Sequence, residues 1–266
     1  ICSMTEDNSA WYQTWFDTPY YHILYQDRDI AEATLFLQNL LAYLKLEQHQ
    51  SILDVACGKG RHALYLASQG FQVTGIDLSP NSISFAQKEA KSKSLEVKFY
   101  VHDMRTPAHK QAAVVLNLFT SIGYFEDKND SQKAIQAFYD STAAGGYVVI
   151  DFLHAPRVKQ GLVAYEVVTK GGIQFTLKRT FEAGWIQKDI SFNDNGVSHR
   201  FQERVAALEY ADFKQMLEMA GFNVQDVFGD YTLTPFKAET AERLILVARK
   251  MNYILTFLAV ALGALF

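Results

Sequence analysis

A chain of 266 residues, 49% hydrophobic and 20% charged, has room for one large domain, or one domain with a modest insertion, and is too apolar to be disordered. Its formal charge of −4, with no window dense in Lys or Arg, argues against a nucleic-acid partner. Cys2 and Cys57 alone make neither a disulfide framework nor a zinc site, which points to no metal and to the reducing cytoplasm.

The opening residues are polar and acidic and read as no secretory signal, with Met4 a sensible initiator behind Ile1-Cys2-Ser3. Residues 1–28 then become dense in aromatics, from Trp11 through Tyr20, Tyr21, His22 and Tyr25 to Arg28. Apolar residues at helical spacing from Asp29 to Leu46 predict an amphipathic helix ahead of the core. An alternation follows: strand Ser51–Ala56, helix Arg61–Gln69, strand Gln72–Asp77, helix Pro80–Lys91, strands Leu95–His102 and Ala112–Asn117, helix Asp130–Ala143, and strand Tyr147–Phe152. Strands alternating with helices mean a parallel, doubly wound sheet. After Phe152 the rhythm changes to four β segments, Leu162–Thr169, Ile173–Glu182, Trp185–Phe192 and Ser198–Leu208, separated by Gly-Gly, Ala-Gly and Asn-Asp-Asn-Gly turns. Helix Tyr210–Ala220 and strands Phe222–Phe228 and Arg243–Ala248 close the pattern. Residues 251–266 are almost wholly apolar from Ile254 onward and too few to span a bilayer, which needs about 20. They read as extraneous to the domain or as the start of a truncated membrane segment, and a membrane partner is expected only if they are genuine. The division expected is therefore an aromatic lid over 1–28, a domain over 29–250 with an antiparallel insertion over 155–208, and the tail.

The informative stretch is Ile52-Leu-Asp-Val-Ala-Cys-Gly-Lys-Gly-Arg-His62. A buried strand enters a turn with Gly58 and Gly60, and a helix follows, whose free N–H groups favour anionic ligand atoms. Asp77 ends the next strand, where a carboxylate can accept both hydroxyls of a ribose. Turn, spacing and acid together mean a nucleoside-containing cofactor. The dinucleotide fingerprint would need glycines where Ala56 and Arg61 stand, and the P-loop would need Lys-Ser or Lys-Thr where Arg61-His62 stand.

What remains, D-x-A-x-G-x-G from Asp54 to Gly60, resembles the first motif of class I (Rossmann-like) S-adenosylmethionine-dependent methyltransferases, whose usual form has glycine where Ala56 stands. The resemblance runs from about Tyr20 to Lys250 and implies a mostly parallel seven-stranded sheet ending in an antiparallel hairpin, with the small insertion after the fifth strand. It implies S-adenosylmethionine as cofactor and methyl transfer to a small molecule at N or O. By that resemblance Asp54, Ala56, Gly58 and Gly60 cradle the methionine part and Asp77 holds the ribose. Leu78 lies against the adenine, Asp103 and Met104 meet its amino edge, and Asn117–Gly123 floor the sulfonium. Duller roles stand beside these: Asp54 and Asp77 as helix caps, Asp103 as a strand-ending acid. The aromatic leader is similar to that of a bacterial methyltransferase group in which this segment covers the cofactor. Tyr20, Tyr25, Arg28, Tyr124 and Tyr231 are candidates for the substrate pocket, and Pro235-Phe236 is expected to face the same cleft. If the acceptor must lose a proton, His22, Tyr21, His62 and His154 are the candidate bases. Asn117-Leu-Phe-Thr is not the N-P-P-Y of adenine and glutamine methyltransferases, and no Pro-Cys pair exists for pyrimidine C5 chemistry. Two alternatives remain: a non-catalytic S-adenosylmethionine-binding protein, and an enzyme tethered by the tail.

Overall fold

The computed structural model describes residues 11–26, 30–108 and 111–251. The first ten residues of the expected lid, Arg28, and the tail beyond Met251 lie outside the described residues. Two short helices, α1 (Trp11–Trp15) and α2 (Pro19–Leu24), precede α3 (Ile30–Leu44). The alternation then runs β1 (Ser51–Val55), α4 (Arg61–Ser68), β2 (Gln72–Asp77), α5 (Pro80–Ser92), β3 (Val97–Val101), β4 (Ala112–Asn117), α6 (Lys128–Ser141) and β5 (Thr142–Leu153). After α7 (Ala155–Gln160) come four strands, β6 (Tyr165–Lys170), β7 (Ile173–Glu182), β8 (Trp185–Asp194) and β9 (Val197–Ala206). The chain returns through α8 (Tyr210–Ala220) to β10 (Phe222–Phe228) and β11 (Arg243–Lys250).

Local chemistry sets the element ends. Ser79 caps α5, its hydroxyl accepting from the Ser82 N–H at 3.0 Å, and Pro80 occupies the first helical position. Glu209 and Asp212 form a reciprocal capping box on α8, which Gly221 ends in the left-handed conformation. Asp127 caps α6 by accepting from the Asn129 N–H.

The seven-stranded sheet has the order β10-β11-β5-β4-β1-β2-β3. Strands β1 to β5 pair in parallel, whereas β11 runs antiparallel to both β5 and β10. Helices α3, α4 and α5 bury one face of this sheet, and α6 and α8 bury the other. A doubly wound sheet of this kind offers ligands a crevice at the carboxyl ends of its strands. The second sheet, β6-β7-β8-β9, is an antiparallel meander, and its apolar face packs on Trp15 and Leu24 of the aromatic leader. Among the described residues no helix is long and apolar enough to cross a membrane.

Three details differ from expectation. The helix predicted to reach Ala143 ends at Ser141, where the Thr142 hydroxyl donates to the Phe138 carbonyl at 2.7 Å and extended backbone begins. Ala143 to Gly146 therefore belong to a long, irregular β5, whose register against β4 shifts between Ala112 and Val114. Helix α7 was not expected; Pro156 in its first turn starts it. The third strand is shorter than the predicted Leu95–His102, because the Leu95 N–H still closes onto the Ala90 carbonyl at the end of α5.

Candidate functional site

The turn from β1 into α4 places Ala56, Gly58 and Gly60 all at positive φ, +58°, +55° and +80°. The two glycines serve different ends. A Cβ on Gly58 would meet nothing within 4 Å, so the backbone there lies bare to a cavity. A Cβ on Gly60 would come within 2.8 Å of the Phe99 ring and 3.0 Å of Ala86, so Gly60 lets β3 and α5 close against the turn. Ala56 adopts the left-handed conformation with a Cβ, which costs about 1–2 kcal/mol.

Two carboxylates brace this turn. Asp77 Oδ2 accepts from the Gly58 N–H and Oδ1 from the Ser79 N–H, both at 2.8 Å, so the side chain joins the turn to the start of α5. Burial pushes its carboxyl up, against the pull of those hydrogen bonds. Asp54 is buried behind the turn and accepts from the Ala63 N–H in the first turn of α4, while its Oδ2 has no partner among the described residues. Burial above all, and then the charge of Asp77, pushes the Asp54 carboxyl up to about 7. Asn117 is equally buried, its Nδ2 donating to the Val55 carbonyl at 3.2 Å.

The turn opens into a cavity of about 590 Å³, walled on the core side by Ala56, Gly58, Asp77, Leu78, Asp103, Met104 and Phe119. Burial pushes the Asp103 carboxyl up, but hydrogen bonds from Arg105 at 2.6–3.1 Å outweigh it and hold the group below the usual carboxylate range. The opposite wall is the leader, with Tyr12, Phe16, Tyr21, His22 and Tyr25 facing Tyr124 and Phe125. Edge and tilted ring contacts, Phe16 to Tyr124 at 5.0 Å and Tyr12 to Phe125 at 5.9 Å, knit the two sides. The leader is tied down at both ends of this wall. Asp17 accepts from the Ser79 hydroxyl and from the Asn81 N–H and side-chain amide, which fixes it to the start of α5. The Glu203 carboxylate of β9 accepts from Trp15 Nε1 at 2.7 Å and from the Tyr25 hydroxyl at 2.7 and 2.8 Å, with Lys188 beside it at 3.3 Å. Lys188 and Glu203 also wall a second cavity of about 480 Å³, shared with Leu153, Arg157 and Val205.

Several predicted residues fall elsewhere. Tyr20 is not on the cavity wall: its hydroxyl donates to Asp194 at 3.0 Å and its ring packs on Phe192 and His199 of the second sheet. His154 sits buried at the N-cap of α7 with Nδ1 2.9 Å from the Ala241 carbonyl, and Phe236 packs on its ring instead of facing the cleft. Tyr231 stands behind the wall, between Phe36 and Phe119. Asp54, Gly60 and Asn117 support the turn from beneath it. Of the candidate bases, Tyr21, His22 and His62 remain on the wall. Phe119, within the expected floor Asn117–Gly123, lines the cavity, whereas sequence reasoning missed Asp151, Arg243, Lys188 and Glu203, whose partners are far away in the chain.

Residues 52–146 match the family model described as "Methyltransferase domain". YqeM of Bacillus subtilis (strain 168), a protein named for methyltransferase activity, is 30% identical over 220 residues, 79% of this chain and 88% of its own. Among solved structures, an S-adenosylmethionine-dependent methyltransferase from Clostridium acetobutylicum ATCC 824 superposes with a TM-score of 0.75 at 20% identity, covering 87% of this chain and 96% of that one. CalS10, an amino pentose methyltransferase from Micromonospora echinaspora solved with S-adenosylmethionine bound, gives 0.65 at 20% identity over 88% of this chain and 98% of its own. Both share the fold described above.

Proposed function

The chain belongs to the class I S-adenosylmethionine-dependent methyltransferases, and from that premise we propose that it methylates a nitrogen or oxygen of a small molecule held between the core and the second sheet. One observation carries the reading: bare Gly58, the Asp77 carboxylate and an aromatic leader wall share one cavity at the carboxyl ends of the parallel strands.

The residues fit the cofactor. Asp77 offers carboxylate lone pairs to ribose hydroxyls while its backbone bonds to Gly58 and Ser79 keep it in place. Leu78 supplies an apolar edge for the adenine, and Asp103, kept ionised by Arg105, accepts from its amino group beside Met104. The backbone at Gly58 admits the methionine part closely, with Ala56 beside it and with Asp54, Gly60 and Asn117 behind. S-adenosylmethionine supplies a methyl group already activated on a sulfonium, so the hard chemistry is the cofactor's. The protein aligns the acceptor and excludes water. Aromatic rings of the leader on the wall, Tyr12 and Tyr21, suit a cation, each contributing about 0.5–2 kcal/mol when desolvated, whereas the Phe119 and Tyr25 rings already carry Arg61 and Lys188 over them. For an acceptor that must lose a proton, His22, Tyr21 and His62 are the expected bases that the cavity retains, and His102 also lines it. The cavity beside Leu153 and Val205 gives an acceptor room next to the leader wall.

The test is a turnover screen with methyl-labelled S-adenosylmethionine against a metabolite pool, a total RNA and a protein extract in parallel. Label in the small-molecule fraction, matched by demethylated cofactor, is expected. Label in RNA or protein alone would refute the small-molecule assignment.

A further inference from the structure

Directly after β4, Phe119 and Thr120 adopt positive φ in succession, +59° and +68°, without a glycine between them. A β-branched residue in that region is a true outlier, and it persists only where the surroundings enforce it. Phe119 lines the cavity, so this outlier lies in the wall of the site.

What enforces it is a carboxylate outside the cavity. Asp151, near the end of β5, has no exposed surface. Its Oδ2 accepts from the Phe119 N–H at 3.0 Å and from the Tyr231 hydroxyl at 3.1 Å, and its own carbonyl accepts from the Thr120 N–H at 2.9 Å. Its Oδ1 accepts from Arg243 Nε at 2.8 Å, and the same guanidinium reaches the Thr120 hydroxyl at 3.2 Å. The left-handed pair is thus held at both N–H groups and at the threonine side chain. The Phe119 ring that results is packed from several sides: Arg61 lies over its face at 4.6 Å, His62 stacks at 5.2 Å, and Tyr231 lies 5.7 Å away. Arg61 and His62 open the helix that follows the glycine turn, so the network joins β5 and β11 to the turn through a single ring.

We propose that Asp151 and Arg243 are positioning residues for the cofactor: they lock Phe119 and Thr120 left-handed and thereby set the Phe119 ring in the cavity wall. The assignment rests on the cavity being the S-adenosylmethionine site. Neither residue meets the ligand, and both act through backbone geometry. Asp151→Asn breaks the lock, because the new amide presents N–H donors either to Arg243 or to the Phe119 N–H and Tyr231 hydroxyl.

The experiment measures affinity for S-adenosylhomocysteine by calorimetry, with melting temperature alongside. Asp151→Asn is expected to lose tenfold or more in affinity. Adding Thr120→Gly, which lets the backbone turn left-handed without enforcement, should restore a substantial part of that loss. Ala183→Gly, which relieves an equally left-handed residue in the distant β7–β8 hairpin, should restore none of it. Tyr231→Phe removes one donor only and is expected to lose two- to fivefold, again with recovery by Thr120→Gly; it serves as the deciding arm should Asp151→Asn not fold. Unchanged affinity in the folded variants, or equal rescue by both glycines, would overturn the proposal and leave Asp151 a stability residue. A wild-type chain that does not bind S-adenosylhomocysteine at all would instead overturn the reading of the cavity.

Discussion

The two walls of the cavity are made differently. The core wall is organised by backbone: a turn with three left-handed residues and a glycine with nothing beyond its Cα, braced by Asp77 on the wall and Asp54 beneath it, both accepting from main-chain N–H groups, with Leu78, Asp103, Met104 and Phe119 alongside. The leader and the second sheet form a wall of side chains, where Trp15, Tyr25, Lys188 and Glu203 bond to one another across long stretches of chain. Backbone geometry tolerates few residue types and suits a ligand whose shape is shared across a family. Side-chain walls can be rebuilt freely and suit a ligand that differs from one relative to the next.

If the walls are independent, damage to one should leave the other. Trp15 is almost wholly buried against the second sheet, and Trp15→Ala should cost the leader and that sheet about 3–5 kcal/mol. Hydrogen exchange is expected to quicken through β7–β9 while β1 and β4 keep their protection. A uniform loss across both sheets would show one cooperative unit.

Asp54 probes the core wall through pH. Its carboxyl holds its proton in the folded state up to about 7, against an ordinary 3.8, so the unfolded chain releases the proton first as pH rises. The stability this group contributes is full below pH 3.8 and is lost as pH climbs to about 7, a change of roughly 4 kcal/mol. Asp54→Asn should flatten that slope in urea titrations between these values. An unchanged slope would mean that the carboxyl is not held protonated.

Asp77→Ala is expected to weaken S-adenosylhomocysteine binding by about 1–3 kcal/mol, the scale of lost hydrogen bonds to a charged group. Because Asp77 also braces Gly58 and Ser79, Asp77→Asn should fall between the two, and a wild-type affinity in both would remove the ribose role. The smallest effect concerns Ala56, where glycine relieves a left-handed Cβ but adds freedom to the unfolded chain. Ala56→Gly should shift stability by no more than about 1 kcal/mol, upward, with cofactor affinity unchanged. A clear drop in the melting temperature would show that the Cβ packs usefully.

The same division decides what the sequence disclosed. The run from Asp54 to Gly60 is local and its geometry excludes most residues, so the turn, Asp77 and the parallel sheet were legible, as were the hairpins closed by Ala183-Gly184 and Asn195-Gly196. Thr142 to Gly146 misled because two alanines favour helix, whereas pairing with β4 draws this stretch into β5. Tyr20 and Tyr25 look alike in the leader, yet only Tyr25 lines the cavity, because the contacts that sort them come from Asp194 and Glu203. Asp151 gave no sign at all: an acid ending a buried strand is common, and its partners Phe119, Tyr231 and Arg243 meet only in the fold.

The most direct measurement is equilibrium calorimetry of the wild-type protein with S-adenosylhomocysteine and, separately, with NAD. A nucleoside site built on Asp77, bare Gly58 and an aromatic wall, with Arg61 where a dinucleotide turn needs glycine, predicts one-to-one binding of S-adenosylhomocysteine and none of NAD. Preferential binding of NAD, or no binding of either, would contradict the account.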